Sequence, residues 1–280
     1  MRLPAFMIED AVARALEEDL GAAGDITTAA CIPADAMSRA VLSARRAGVI
    51  AGVELAIAAF RLVDKDIEVR VEKGDGARVA AKDVVMRVDG PSRGILSAER
   101  VALNFLGRLS GVATQTALYV AAAAGTRAKI VCTRKTTPLL RAFEKYAVRC
   151  GGGANHRFGL YDAVMIKDNH IAAAGGIAEA MKAAKAAVGH MTAIEIEVDT
   201  LEGMEEALEH GARIILLDNM SLDDLRLAVA LNKGRAVLEA SGGVTLDSVK
   251  AIAATGVDII SAGAITHSAP SLDLGLDFLD

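Results

Sequence analysis

Hydrophobic and polar residues change their spacing along the chain, and this change separates an N-terminal part from a longer C-terminal part. In the first part, apolar positions at helical spacing predict an amphipathic helix over residues 5–20 and a second helix over 52–62. Residues 38–50 and 67–88 alternate between apolar and polar side chains, which is typical of half-buried strands. The N-terminal part is therefore expected to be mixed α/β with an antiparallel sheet.

A long helical pattern follows, from Ser97 to about Ala124, and Ser97 is the expected N-cap. Beyond it, short apolar runs alternate with helical patterns. Continuous Ile, Val and Leu runs between helices indicate parallel strands covered by helices on the sheet faces. The runs are 129–133, 162–169, 193–198, 213–219, 236–243 and 258–264, with helices expected near 137–148, 175–188, 202–210, 221–232 and 245–255.

Six strands at this spacing indicate an α/β barrel, closed or incomplete. A doubly wound open sheet is the alternative architecture. That fold usually carries a glycine-rich loop after its first strand, and no G-x-G-x-x-G pattern follows residues 129–133. The barrel is therefore the favoured prediction.

Composition and charge narrow the possible functions. A chain of 280 residues with 52% hydrophobic and 24% charged residues is expected to be globular, and its net charge of −5 argues against nucleic-acid or anionic-membrane binding. The N-terminal apolar pattern contains acids, and no apolar run reaches membrane-spanning length without charges, so we expect a cytoplasmic protein. The three cysteines (Cys31, Cys132, Cys150) show no C-x-x-C spacing, which disfavours disulfides and a structural zinc site.

Cationic side chains follow the first two strands of the predicted barrel, where barrel enzymes carry their chemistry. Arg134 and Lys135 follow the first strand, and Lys167 ends the second. A glycine-rich loop between them carries His156 and Arg157. Because the planar guanidinium of arginine forms bidentate hydrogen bonds with carboxylates and lysine supplies a compact positive charge, these residues predict a site for a small anion. By contrast, we interpret Arg141, Lys145 and Arg149, spaced four apart on a helix, as solvated ion-pair partners.

Acids and glycines follow the later strands. Glu197 and Asp218 could bind Mg²⁺ or hydrogen-bond ribose hydroxyls and stabilise a developing positive charge. Glu195 points to the same side of its strand as Glu197, but Glu197 lies nearer the strand end and is preferred; Glu195 could instead pair a lysine inside the barrel. The turns at Ser241–Gly243 and Gly263 suit a phosphate, with simple tight turns as the alternative.

Several motifs together resemble one known family. They include TRKTTP at 133–138, EKYAVRCGGGANHRFGLYDAVMIKDNHI at 144–171 and EASGG at 239–243. The chain is similar to quinolinate phosphoribosyltransferases, also called nicotinate-nucleotide pyrophosphorylases (carboxylating). The resemblance implies an N-terminal α/β sandwich-like domain over 1–110, rejoined by the C-terminal tail 270–280, and an incomplete α/β barrel over 111–269.

The resemblance also implies an activity and an assembly. The activity is a pentosyltransferase reaction of de novo NAD biosynthesis, in which quinolinate and phosphoribosyl pyrophosphate give nicotinate mononucleotide, pyrophosphate and CO₂ with Mg²⁺ as cofactor. The assembly is a homodimer with shared active sites, and a hexamer is the larger form that the resemblance allows.

Residue roles are implied in the same way. Arg100 matches the arginine that reaches the partner's site, and Lys135, Glu197 and Asp218 match the catalytic residues that serve phosphoribosyl pyrophosphate, with Glu197 and Asp218 as Mg²⁺ ligands. The quinolinate carboxylates are matched by Arg134, His156, Arg157 and Lys167, and the 5′-phosphate by Ser241, Gly242, Gly243 and Gly263. Leu139 stands where many relatives carry glycine, and we expect a small change in the loop there.

Three alternatives compete with this prediction. A molybdenum-transport-associated paralogue of the same fold is disfavoured by the complete cationic set. A barrel aldolase would use Lys135 or Lys167 as a Schiff-base lysine. A non-catalytic anion-binding protein would not need Glu197 and Asp218 at the barrel mouth.

Overall fold

The computed structural model describes residues 3–279, and their contacts define two compact units. The first contains residues 3–117, 143–152 and 269–279; the second contains residues 118–142 and 153–268. A helix continues through residues 110 and 111, and a later helical segment belongs to the first unit.

The first unit is built on an antiparallel sheet. Its helices are α1 (Ala5–Leu20), α2 (Ile26–Cys31) and α3 (Val53–Val63), and its strands are β1 (Met37–Ala44), β2 (Gly48–Val49), β3 (Glu68–Val71), β4 (Arg78–Val79) and β5 (Val84–Pro91). The C-terminal strand β12 (Leu274–Leu279) pairs antiparallel with β1, which gives the order β12-β1-β5-β3, while β2 pairs with β4. Ile8, Val12 and Leu16 of α1 are buried, as its apolar spacing predicts.

The long helix α4 (Ser92–Ala122) begins five residues before the predicted start. The expectation that Ser97 is its N-cap is wrong, because β5 runs directly into the helix. The first turn contains a serine, an arginine and a glycine, so the apolar pattern becomes visible only at Ile95. The Ser97 hydroxyl instead donates to Asp25 at 3.2 Å, and Asp25 is itself the N-cap of α2.

The second unit contains a six-stranded parallel sheet. Its strands are β6 (Lys129–Val131), β7 (Val164–Ile166), β8 (Ile194–Val198), β9 (Ile214–Asp218), β10 (Val237–Ser241) and β11 (Ile259–Ser261). Its helices are α6 (Asp168–Ala174), α7 (Ile177–Ala187), α8 (Leu201–Glu209), α9 (Leu222–Asn232), α10 (Leu246–Ala253) and α11 (Ala264–His267).

In the strand order β6-β11-β10-β9-β8-β7, each strand from β7 to β10 lies beside the strand that follows it in the chain, and β11 lies beside β6. This circular order is the winding of a barrel. A doubly wound sheet would reverse its order at a switch point. The barrel is incomplete because β6 and β7 are not paired with each other; on that side, Ala154 forms a parallel bridge with Val131 of β6. The predicted incomplete α/β barrel is therefore confirmed.

Helix α5 (Arg141–Cys150) begins later than predicted, because Leu139 just before it has a left-handed backbone with φ 64°. Its cations are not all solvated. Arg149 is exposed, but Lys145 is fully buried, so the interpretation of Lys145 as a solvated residue is wrong. The neighbouring Glu144 is also buried and accepts from the Arg108 guanidinium at 2.7 Å, so this part of α5 is held within the first unit.

No helix in the described part of the chain combines the length and the apolar character needed to cross a bilayer.

Candidate active site

A cavity of about 840 Å³ lies at the carboxyl ends of the barrel strands, entirely within the second unit. Every residue that the sequence predicted for the site lines it except Arg100, which is exposed on α4 in the first unit. The predicted residues that line it are Arg134, Lys135, His156, Arg157, Lys167, Glu197, Asp218, Ser241, Gly242, Gly243 and Gly263.

Arg157 is the cation that the surrounding protein holds most firmly. One of its terminal nitrogens donates to the carbonyl of Ala163 at 3.1 Å, and its backbone N–H donates to Nδ1 of His156 at 2.7 Å. Its Nε is buried without a hydrogen-bond partner. Burial and the nearby charge of Arg134 lower the pKa of Arg157 below its ordinary value. A buried, unpaired guanidinium N–H is costly, so this group is expected to receive an anionic ligand.

Lys167 and Glu197 form an ion pair at the cavity wall, where β7 and β8 end side by side. Pairing with a lysine was the alternative role expected for Glu195, but in the structure the lysine pairs with Glu197.

A buried cluster of His156, Glu195 and Glu239 lies at the floor of the site. Nε2 of His156 lies 2.9 Å from Oε2 of Glu195 and 3.7 Å from Oε1 of Glu239. Both carboxylates are less than one-tenth exposed, and burial together with the charge of Glu195 raises the pKa of Glu239 to about 7. The ligand atoms of the three residues lie within 4.8 Å of one another, so a divalent cation could also bridge them.

Glu239 is a site residue that was not predicted from the sequence. The available signal was a charged residue inside an otherwise apolar strand. Glu239 lies two positions before Ser241, so both side chains point to the same face of β10.

Unsatisfied polar atoms are concentrated in this region. Among the described residues, the buried side-chain nitrogens and oxygens without a hydrogen-bond partner belong to Arg157 (Nε), Glu195 (Oε1), Glu239 (Oε1) and Ser261 (Oγ). Folded proteins satisfy nearly all buried polar groups, so their concentration here marks a site that a ligand or ordered water completes.

The glycine turn after β10 forms the opposite part of the cavity. Gly242 has a left-handed backbone with φ 92°, and a Cβ there would collide with Oδ1 of Asn219. Thr245, which also lines the cavity, is the N-cap of α10. Bare amides of a glycine turn beside a helix N-terminus suit an anion. Asn219 lines this part of the cavity as well, and the sequence analysis did not assign it a role.

Comparisons with known proteins agree with the fold. Residues 25–110 match the N-terminal domain, and residues 112–277 the C-terminal domain, of quinolinate phosphoribosyl transferase. The chain is 46% identical to the probable nicotinate-nucleotide pyrophosphorylase (carboxylating) of Bacillus subtilis, over 93% of this chain and 89% of that protein. It is 44% identical to the nicotinate-nucleotide pyrophosphorylase (carboxylating) of Mycobacterium leprae, over 96% of each.

A solved structure supports the same assignment. The nicotinate-nucleotide pyrophosphorylase of Francisella tularensis superposes with a TM-score of 0.96 at 40% identity, covering 99% of this chain and 98% of that one. The chain therefore belongs to the quinolinate phosphoribosyltransferase family.

Proposed function

We propose that this protein transfers the phosphoribosyl group of phosphoribosyl pyrophosphate to quinolinate, giving nicotinate mononucleotide, pyrophosphate and CO₂ in de novo NAD biosynthesis. The observation that carries the proposal is a single cavity in which a cationic wall, two carboxylates and a glycine turn face one another. The cationic wall suits a dicarboxylate, and the remaining groups suit a sugar phosphate. The relatives' names specify a carboxylating nicotinate-nucleotide pyrophosphorylase.

Quinolinate binds at the wall formed by Arg134, Arg157 and Lys167. The unpaired Nε–H of Arg157 donates to one carboxylate, and the Lys167 ammonium contacts the other while still paired with Glu197. His156 lies with these cations in the cavity, but both of its ring nitrogens have partners in the protein.

The phosphoribosyl group occupies the other half of the cavity. Ser241, Gly242, Gly243 and Gly263 bind the 5′-phosphate, and Lys135 contacts the diphosphate. As the bond from the anomeric carbon to pyrophosphate breaks, positive charge develops on the ribose, and the carboxylates of Glu197 and Asp218 stabilise it. The pyridine nitrogen forms the new bond to that carbon. The 2-carboxylate then leaves as CO₂, and the ring carbon takes a proton in its place.

The donor set of this half also fits Mg²⁺. Glu197 and Asp218 offer carboxylate oxygens at the cavity edge, and Mg²⁺ is usually held by one or two carboxylates together with substrate phosphates. When bound there with the diphosphate, Mg²⁺ would neutralise the charge of the leaving group.

The direct test incubates the protein with quinolinate labelled in the 2-carboxylate, phosphoribosyl pyrophosphate and Mg²⁺. We expect labelled CO₂ and nicotinate mononucleotide in equal amounts. Arg157→Ala should raise the KM for quinolinate at least tenfold, as expected for a lost charge-assisted hydrogen bond, while Arg149→Ala, at an exposed arginine outside the cavity, should not. Absence of both products from the unaltered protein would reject the proposal.

We extend the proposal to assembly and location: a cytoplasmic homodimer with shared sites, in which Arg100 of the partner subunit completes each cavity. Arg100 is a predicted substrate-binding residue that is exposed and absent from the cavity lining of its own chain, which supports sharing. Mixing inactive Arg100→Ala and Arg134→Ala subunits should restore about a quarter of normal activity, because half of the random dimers regain one intact site. No recovery in mixed dimers would mean that each site is built from one chain.

A further inference from the structure

We propose that Glu195 is a positioning residue for the quinolinate site: it accepts the Nε2–H of His156 and holds the ring, so that Nδ1 accepts the backbone N–H of Arg157 and fixes that arginine. In this arrangement His156 supports the anion site without contacting the substrate carboxylate. The inference rests on the proposed function for its choice of substrate, but its structural part can be tested without any substrate.

The hydrogen bonds of the histidine ring determine its tautomer. The backbone N–H of Arg157 lies 2.7 Å from Nδ1, and because an amide N–H can only donate, Nδ1 must accept and carry no proton. Nε2 carries the ring proton and donates a hydrogen bond to a Glu195 oxygen 2.9 Å away. The ring is therefore a neutral imidazole with both nitrogens engaged, and it has no N–H left for a ligand.

Glu239 is a second acidic residue on the same side of the ring. Its Oε1 lies 3.7 Å from Nε2, so the ring nitrogen faces two buried carboxylates instead of one. A rotation of the ring that turned the unprotonated Nδ1 toward Glu195 would set two acceptors against each other. Glu195 therefore favours the single orientation that serves the Arg157 backbone.

The consequence falls on the arginine that binds the ligand. Arg157 is fixed at its backbone by His156 and at one terminal nitrogen by the carbonyl of Ala163, while its Nε–H is buried and unpaired. Loss of the histidine acceptor would free the backbone at residue 157 and weaken the preorganisation of the guanidinium. The effect should appear in quinolinate binding and not in bond breaking at the ribose.

The first experiment determines the tautomer in the substrate-free protein. The chain has five histidines, so selective ¹⁵N labelling with His156→Asn for assignment can resolve this ring by NMR. We expect a protonated Nε2 and an unprotonated Nδ1 at neutral pH. A doubly protonated ring, or a proton on Nδ1, would overturn the proposal, and so would a stoichiometric divalent metal on Nε2 in the purified protein.

The second experiment separates positioning from direct contact. Asparagine at position 156 can place an oxygen near the Nδ1 position and keep the acceptor for Arg157, whereas alanine cannot. His156→Asn should keep the KM for quinolinate within about threefold of the unaltered protein, and His156→Ala should raise it about tenfold at nearly unchanged kcat, the effect of one lost hydrogen bond. Equal and larger losses in both variants would indicate that the histidine contacts the carboxylate directly.

The role of Glu195 is tested by two matched substitutions. Glu195→Gln retains an oxygen that can accept from Nε2–H, and Glu195→Leu does not, although both remove the charge. We expect the glutamine variant to retain quinolinate affinity and the leucine variant to lose about tenfold in KM with kcat preserved. If the two variants behave alike in folded protein, or if kcat falls instead of KM rising, Glu195 does not act through His156. A protein without any transfer activity that still shows the expected tautomer would refute the proposed function and leave the His156 geometry intact.

Discussion

Glu239 is a buried carboxylate that should reduce the stability of the fold, and Glu239→Gln should reveal by how much. The side chain is 2% exposed and lies near Glu195, and both burial and the like charge raise its pKa to about 7 from an ordinary 4.5. Glutamine keeps the shape and the hydrogen-bonding oxygen but cannot ionise. The substitution therefore removes the cost of burying a charge while changing little else.

The size and the sign of the effect follow from proton linkage. Between pH 4.5 and about 7, the folded state holds a proton on Glu239 that the unfolded chain releases, so stability falls as the pH rises through this interval. Below it, both states are protonated and there is no penalty. Above it, the full penalty is present, about 3 kcal/mol at 1.36 kcal/mol for each pKa unit. The free energy of unfolding of Glu239→Gln should therefore exceed that of the unaltered protein increasingly between pH 5 and pH 8.

Urea unfolding of both proteins at equal concentration, at several pH values from 5 to 8, measures this difference. The matched control is Glu205→Gln, which removes one charge from an exposed position on α8 and should not reproduce the pH dependence. A stability difference between Glu239→Gln and the unaltered protein that is the same at pH 5 and pH 8 would refute the reasoning. It would mean that Glu239 takes up no extra proton on folding.

Three further predictions concern other elements. Leu139→Gly should raise the free energy of unfolding by about 1 kcal/mol in urea titrations, because a 92% exposed leucine occupies a left-handed backbone that glycine adopts without strain. Gly242→Ala should lower it by about 1–3 kcal/mol and raise the KM for phosphoribosyl pyrophosphate, since the new Cβ would collide with Asn219. Glu144→Ala should lower the midpoint of thermal unfolding and cost about 3–5 kcal/mol, because it leaves Arg108 without its buried partner.

The barrel could be predicted because each of its strands is a short, mostly apolar run between helices. All six runs contain a strand, and the polar residues that follow them line one cavity. Element starts were harder to locate. Helix α4 begins in a turn with little apolar pattern. Helix α5 begins later than predicted because Leu139 has a left-handed backbone, a conformation that a leucine in the sequence does not predict.

The parts of the site that depend on distant segments could not be predicted. His156 lies in a loop without regular spacing, so nothing in the sequence places its ring against Glu195 of β8. Lys145 has the helical spacing of a surface cation, yet it is buried because α5 packs within the first unit. The contribution of Arg100 depends on a partner subunit, so neither the sequence nor one chain can define it.

Strand parity explains how the two kinds of site carboxylate differ. On β8 and β10, the last inward positions are Glu197 and Ser241, which reach the cavity wall, and the inward positions two residues earlier are Glu195 and Glu239, which are buried. A residue at the earlier position has lost most of its water, so its charge must be met by the protein. Choosing the inward residue nearest the end of each strand therefore finds the groups that bind ligand. It misses the buried residues two positions earlier on the same strands. An ionisable residue at the earlier position lowers stability without helping the strand to form, and a supporting role for a neighbouring binding group accounts for its presence there.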